Sequence, residues 1–224
     1  ARPVSPVAVD YLLQPYLPGL ESGPVLGRLV NMHFARHEER RYYLHPADQE
    51  YALARLPAAP PDGADDDSQA PSQLTLRRRA ADYFRQARLP RSAWRTLADL
   101  EPQLAEFDLR CAAQEYETAA DVLREIDFDY LLLWGHARLL VDLHGQLLGK
   151  LGDQRSAAGS LGNLGLAYAD LGQVEQAIGC YQQALAIARE IGDRRGEGAG
   201  LGNLGLAYAD LGQVEQAISQ YQQA

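Results

Sequence analysis

The chain has 224 residues, 46% of them hydrophobic and 23% charged, and its formal net charge is −9. This length and apolar content are enough for more than one folded domain, whereas the negative charge argues against binding of a phosphate backbone as the main task of the chain. No apolar run is long enough to cross a bilayer, and no basic and apolar leader opens the sequence at Ala1. We therefore expect an excised piece of a cytoplasmic protein that does not bind membranes.

The first 58 residues are predicted to form a winged-helix-like module. Ser22 and Pro24 are placed as the N-cap and the early proline of its second helix, and alternating polar and apolar residues around a polar turn predict a short hairpin after it. The expected elements, in chain order, are a helix over 6–14, a helix over 22–32, strands over 33–37 and 41–45, and a helix over 48–56.

Residues 59–73 are predicted to be an acidic linker or loop rich in proline and alanine, because they carry four aspartates and no basic residue. Seven arginines then stand against two aspartates between Arg77 and Asp99. Such a basic patch is compatible with nucleic-acid binding, yet arginines on an amphipathic helix more often form a solvated face or pair with neighbouring acids. We favour the second interpretation.

The last third of the chain contains an internal repeat. Residues 161–184 and 201–224 agree at 22 of 24 positions, at a spacing of forty residues. A fixed period of this size is typical of stacked helical hairpins, each of which buries its apolar face only against its neighbours. Such arrays expose an extended docking surface, so the repeat favours a binding role over a catalytic one.

Inside each copy, the spacing of Leu, Gly, Tyr and Ala resembles the tetratricopeptide (TPR) signature. We expect Gly165 and Ala177 to let the two helices of a hairpin approach closely, and Tyr168 and Tyr181 to fill the gap toward the next hairpin. The usual unit has about 34 residues, so the longer period predicts a second helix that continues to Ile191. The signature positions of the first copy are Leu161, Leu164, Gly165, Tyr168, Gly172, Ala177, Tyr181 and Ala184.

These observations predict a mostly α protein. Residues 1–58 form the winged-helix-like module, and residues 59–73 form the linker. Residues 74–150 form a diverged TPR-like helical connector. Residues 151–224 form a right-handed α-solenoid of TPR hairpins, the last of them truncated.

In this order, the segments resemble parts of bacterial STAND signalling ATPases of the NB-ARC type. The stretch LGRLVNMHFARHEERRYYLHPADQEYALARLP looks like their winged-helix segment, and the run AADYFRQARLPRSAWRTLADLEPQLAEFDL is similar to the connector that leads into their TPR sensor arms. The resemblance implies a sensor and coupling arm in signalling. Its TPR array would bind a protein or peptide, and its winged-helix module would contact the nucleotide-binding core of the parent protein.

No G-x-x-x-x-G-K-[ST] motif occurs in the chain, so this piece lacks a P-loop and we expect it not to hydrolyse ATP. We expect no cofactor here, since ATP or ADP would belong to the nucleotide-binding core. The resemblance implies one nucleotide-sensing candidate, His45 in Tyr-Leu-His-Pro. A capping or packing role for His45, before Pro46, is an equally good interpretation.

The sequence contains no other motif that predicts a metal site or a catalytic site. His33 and His37 are four residues apart, but they fall on a predicted strand or turn and do not share a helical face, so we expect no metal site. No Ser-His-Asp or Cys-His set has motif context, so we expect no enzyme activity. Cys111 and Cys180 stand alone in helical patterns and are predicted to be reduced, as in the cytoplasm.

For binding, the TPR resemblance nominates the concave face of the first helix of each hairpin. Asn163 and Asn203 are candidates to hydrogen-bond a peptide backbone, because an amide offers both a donor and an acceptor; a bond to a neighbouring helix backbone is the alternative. This face is small and acidic, which favours a basic or mixed partner segment. The predicted groove residues are Asn163, Leu166, Ala169, Asp170, Asn203, Leu206, Ala209 and Asp210.

We also expect the last hairpin either to associate end to end with another copy or to fray, because an uncapped repeat leaves apolar surface exposed. Two alternatives to the coupling arm stay open. One is a winged-helix/TPR transcription regulator, although the predicted recognition helix over 22–32 carries only Arg28 as a base; a gel-shift series at low salt would test it. The other is a stand-alone TPR scaffold protein.

Overall fold

The computed structural model describes residues 4–39, 41–44, 46–59 and 71–223. His45 and most of the predicted linker lie outside these residues. The chain divides into two compact units, Ala1–Ser92 and Ala93–Ala224. The described residues are mostly helical, which confirms the predicted class.

The first unit contains four helices and one β-hairpin in its described residues. Ala35 pairs with Leu44 and Glu38 with Arg41 in the antiparallel hairpin. This two-stranded sheet alone does not establish a winged helix, so that assignment stays a prediction. The elements are α1 (Pro6–Leu13), α2 (Ser22–Asn31), β1 (Ala35–Glu38), β2 (Arg41–Leu44), α3 (Pro46–Ala54) and α4 (Gln73–Gln86).

The start of α2 differs from the prediction. Ser22 is the first residue of the helix, and Glu21 stands at the N-cap without a side-chain bond. The Ser22 side chain is buried and its hydroxyl donates to the Pro6 carbonyl at 3.0 Å, while its backbone N–H donates to Asp10 at 2.7 Å. The hydroxyl is therefore used to hold α2 against the start of α1 and not as a helix cap.

Part of the arginine-rich segment has a packing role that was not predicted. Arg79 on α4 donates through Nη2 to the Tyr11 carbonyl at 2.7 Å, and its guanidinium lies 5.0 Å from the centre of the Tyr11 ring. Arg79 thus satisfies a carbonyl near the C-terminal end of α1, where intrahelical partners run out. Within the described residues this arginine is partly buried and pairs with carbonyl groups and a ring, not with an acid.

The second unit consists of helices joined by short turns. Its buried apolar residues form one cluster among the earlier helices of the unit and a second cluster among the later ones. The elements are two 3₁₀ turns (Arg91–Ala93, at the boundary of the units, and Leu97–Leu100), α5 (Glu101–Ala112), α6 (Tyr116–Arg124), a π-helix (Asp127–Leu132), α7 (Ala137–Leu147), α8 (Gln154–Asp170), α9 (Val174–Glu190), α10 (Arg194–Asp210) and α11 (Val214–Tyr221).

The repeated segments form two helical hairpins, α8–α9 and α10–α11, and α9 also packs against α10. Gly172 and Gly212 adopt a positive φ of 71° in the turns within the hairpins, a conformation that favours glycine. The first hairpin ends as predicted, because α9 stops at Glu190 with Ile191 as its cap and Gly192 has a φ of 69°.

The signature tyrosines pack within hairpins more than the sequence suggested. A Cβ atom placed on Gly165 would overlap the ring of Tyr181, and one placed on Gly205 would lie 2.5 Å from Cε1 of Tyr221. Each ring therefore occupies the space that a glycine leaves on the opposite helix of its own hairpin. Tyr181 also shares an apolar cluster with Leu201 of α10, so it reaches the next hairpin as predicted, and the close approach of the helices at Gly165 is confirmed.

Candidate functional site

The second unit contains an open groove of about 760 Å³. Its long wall is one face of α8, where the lining residues recur every three or four positions as a helix requires. The corresponding face of α10 forms the continuation of this wall. The α8 residues are Arg155, Ser156, Ala158, Gly159, Ser160, Gly162, Asn163 and Leu166, and those of α10 are Arg195, Gly196, Ala199, Gly200 and Asn203.

Small residues keep the groove wide. A Cβ atom on Gly159 or Gly162 would meet no atom within 4 Å, so these glycines border open space. Gly200 is different, since a Cβ there would lie 3.3 Å from the Leu185 side chain. Gly159 and Gly162 bring the groove close to the α8 backbone, whereas Gly200 allows α9 and α10 to pack closely.

The structure places three of the eight predicted residues in the groove, namely Asn163, Leu166 and Asn203. The other five lie nearer the C-terminal ends of α8 and α10 and do not line it. Leu206 is 60% exposed. The groove faces the N-terminal halves of these helices, so positions about two turns beyond the asparagines are too far along the axis. Leu206 lies outside the groove although its counterpart Leu166 lines it. The residues outside the groove are Ala169, Asp170, Leu206, Ala209 and Asp210.

This shift changes the charge of the lining. Asp170 and Asp210, which suggested an acidic face, are exposed at the helix ends, whereas Arg124, Arg155 and Arg195 line the groove. The groove also contains three aspartates, so it is mixed in charge. The lining is rich in small residues and mixed in charge, whereas the sequence predicted a small and acidic face.

The three arginines differ in how far they are engaged. Arg124 pairs with Asp121 at 2.7 Å, and Arg155 lies 3.9 Å from Asp193. Arg195 has no ion-pair partner among the residues that the structure describes. It is the least engaged cation at the rim.

Asp153 and Asp193 line the groove, but their side chains also cap helices. Asp153 accepts from Ser156 N at 2.8 Å and Asp193 from Gly196 N at 3.1 Å, so each caps the N-terminus of its helix. Hydrogen bonds from the Ser156 side chain and then from the Ser156 backbone N–H lower the pKa of Asp153 below its usual value.

The two repeat asparagines have different surroundings in spite of their equivalent positions. Asn163 donates through Nδ2 to Oδ2 of Asp127 at 2.5 Å. Asn203 makes no side-chain hydrogen bond to any part of the chain that the structure describes. The bond of Asn163 goes to a carboxylate and not to a helix backbone, the alternative that the sequence left open. Asn203 keeps its full donor and acceptor capacity for a ligand.

Asp127, His144 and Ser160 form a buried polar cluster at one end of the groove. His144 is 3% exposed, its Nδ1 lies 2.9 Å from Ser160 Oγ, and its Nε2 lies 3.9 Å from Asp127 Oδ2 without a hydrogen bond. Burial lowers the pKa of His144 to about 4. Burial also raises the pKa of Asp127, against the opposing effect of bonds from Phe128 and Asn163.

This cluster has the residue types of a nucleophilic triad but not its chemistry. An imidazole whose pKa lies near 4 is a weak proton acceptor at neutral pH. Ser160 sits inside α8, where the neighbouring backbone N–H groups are used by the helix and leave no donor pair for an oxyanion.

Sequence reasoning singled out none of Asp127, His144 and Ser160 as a site residue. Ser160 and Asn163 share one helical face because they are three residues apart, which was a usable signal. Asp127 gave none, since it begins a π-helix that follows no regular period.

The two cysteines are free thiols. Cys111 is half-buried and Cys180 is buried. Burial raises the pKa of the Cys111 thiol to about 11 and also raises that of Cys180. Both are thereby kept in the unreactive thiol form at neutral pH.

Comparison with known families supports the interpretation of the hairpins. Residues 156–224 match the family model described as tetratricopeptide repeat. The chain contains TPR repeats. No curated protein matches the chain. TPR repeats generally mediate protein–protein interaction, and the matched span includes the α10 part of the groove and most of its α8 part. No helix in the described ranges is long and apolar enough to cross a membrane.

Proposed function

We propose that the groove of the second unit binds an extended polypeptide segment of a partner protein. The chain would serve as the sensor and coupling arm of a STAND-type signalling ATPase. Its TPR repeats recognise the partner, and its first unit contacts the nucleotide-binding core of the parent protein. The TPR match and the order of the resembling segments support this proposal.

The unengaged amide of Asn203 is the observation that carries the binding role. A primary amide accepts through its oxygen and donates through its nitrogen, so it can pair with the N–H and C=O of one peptide unit. Gly159, Gly162 and Ala199 leave room for a main chain along the same wall. A segment bound there would gain hydrogen bonds without first breaking any at Asn203.

The asymmetry of the asparagines gives a sharp test. A peptide selected from a random library on the full chain is titrated against Asn203→Ala and Asn163→Ala, with the exposed Gln183→Ala on α9 as control. We expect Asn203→Ala to weaken binding about tenfold, the effect of losing one to two hydrogen bonds, and Gln183→Ala to have no effect. Equal affinity of Asn203→Ala and the unaltered chain would refute the role of this amide.

The coupling role needs a separate measurement on the complete parent protein. If the repeats act on a nucleotide-binding core, the selected peptide should change the affinity for ATP or ADP, typically by 5- to 150-fold, and nucleotide should change the affinity for peptide by the same factor. Peptide binding without any change in nucleotide affinity would leave a stand-alone TPR scaffold as the function.

A further inference from the structure

Asp127 is a buried carboxylate that no cation in the described part of the chain pairs with. Its side chain is 7% exposed and lines the groove. Oδ1 accepts from Phe128 N at 2.6 Å, and Oδ2 accepts from Asn163. Among the described residues no lysine or arginine lies within ion-pair distance of it.

The two nearest titratable groups do not supply that charge. His144 on α7 is 3.9 Å away and stays neutral at physiological pH because it is buried. The charge of Arg124, at the end of α6, opposes the rise in the pKa of Asp127, but its guanidinium forms its ion pair with Asp121, at 2.7 Å, and not with Asp127. A buried carboxylate without a partner is costly, and the cost falls when a cation binds it.

The polar atoms around Asp127 have unused capacity to accept hydrogen bonds. A carboxylate offers about four acceptor sites, and the structure shows one donor on each oxygen. In the tautomer whose Nδ1–H donates to Ser160, His144 Nε2 is also a free acceptor, and it is buried with no hydrogen-bond partner. A ligand that fits this set must bring N–H donors and positive charge.

We propose that Asp127 anchors a lysine or arginine side chain of the polypeptide segment that the groove binds, with His144 Nε2 as a second acceptor for its N–H groups. This rests on the proposed function, because it assigns the chemistry of the ligand for the same groove. The open space beside Gly159 and Gly162 admits the aliphatic part of the side chain. The unpaired Arg195 at the rim disfavours further cations, so the segment carries one basic anchor and is otherwise neutral or acidic.

The test uses phage-displayed random peptides selected on the full chain. We expect the selected peptides to share one Lys or Arg. Replacing it by norleucine or citrulline, which remove the charge and keep most of the shape, should weaken binding at least tenfold. Asp127→Asn should cause a similar loss, and the two changes together should cost little more than either alone. Asp170→Asn, an exposed carboxylate outside the groove, is the matched control and should have no effect.

The outcomes separate this inference from the proposed function. Peptides that bind through Asn203 but need no basic residue, or acidic peptides whose binding depends on Arg195, would overturn the anchor and leave peptide binding intact. Failure to select any peptide would overturn both. Should Asp127→Asn not fold, the norleucine and citrulline peptides on the unaltered chain still decide the matter.

Discussion

Gly165 is the residue at which a single methyl group should matter most. The ring of Tyr181 occupies the position that a Cβ atom would take, so Gly165→Ala forces the ring or the helix to move. Overpacking of this kind costs about 1–3 kcal/mol. Gly179→Ala on α9 is the control, because nothing lies within 4 Å of its Cβ position, and there alanine should stabilise the helix by about 0.5–1 kcal/mol. Urea unfolding would measure both changes, and a stable Gly165→Ala would contradict the packing described.

His144 should make stability depend on pH. Its folded pKa is about 4 against 6.5 for the free side chain, so the unfolded chain binds a proton that the folded chain excludes between these values. Stability therefore falls as pH drops from 6.5 toward 4, by at most about 3 kcal/mol. Asp127 acts in the opposite direction in the acidic part of this range, since burial raises its pKa.

Unfolding free energies at pH 7 and pH 5 would test this. We expect His144→Gln to reduce the difference in unfolding free energy between the two pH values. An unaltered pH difference in His144→Gln would show that the imidazole is accessible to protons in the folded state.

At the scale of elements, the N-termini of α8 and α10 depend on equivalent aspartate caps. Asp193→Ala should destabilise α10 by about 1 kcal/mol, the usual cost of removing such an acceptor, because Gly196 N loses its partner. Asp193→Asn keeps an acceptor oxygen and should lose much less. Thermal unfolding of the two variants, compared with the unaltered chain, measures the difference; equal losses would point to the charge rather than the cap.

The presence of a helix could be predicted where apolar residues recur with a helical period over a long segment. The end of a helix could be predicted where a glycine terminates it, as at Gly192. The hydrogen-bond partner of a side chain could not be predicted where that partner is distant in the sequence. Ser22 looked like a cap from its neighbours alone, but its hydroxyl is taken by Pro6, sixteen residues away. The π-helix Asp127–Leu132 has no 3.6-residue pattern to detect, and the buried end of the groove begins at this element.

At the scale of the whole molecule, the same apolar surface is covered in the first hairpin and exposed in the second. Val174 and Ile178 pack partly buried against the α10 side of the second cluster. Their equivalents on α11, Val214 and Ile218, are 56% and 50% exposed. The apolar face of the second hairpin is thus the same kind of surface that the first hairpin covers with a neighbouring helix.

We therefore expect this chain to self-associate through α11 at high protein concentration, which is one of the two outcomes, association or fraying, that the sequence predicted. Sedimentation velocity over a concentration series should show a rising mean mass that Ile218→Asp abolishes. The matched change Gln183→Asp, on the exposed side of α9, should leave association intact. A chain that stays monomeric at all concentrations would contradict the expectation.

The groove could be predicted only in part, because its boundary depends on elements outside the repeat. Asn163 and Asn203 both line the groove, because equivalent positions on α8 and α10 face the same way. The boundary of the groove depends on the elements that precede the repeats, including the π-helix and α7, whose sequences do not repeat. Asp170 and Asp210 were misplaced because the period says which face of a helix is inward but not how far along the axis the groove extends.

The unequal surroundings of Asn163 and Asn203 have a consequence for engineering. Identical repeat positions do not have identical neighbours, because Asn163 bonds to Asp127 in the non-repeated part of the chain, whereas Asn203 makes no side-chain hydrogen bond within the described residues. A consensus drawn from such repeats would weight both amides equally. Grafting this array onto another scaffold would therefore release one hidden contact and alter what the array recognises, even with every repeat residue retained.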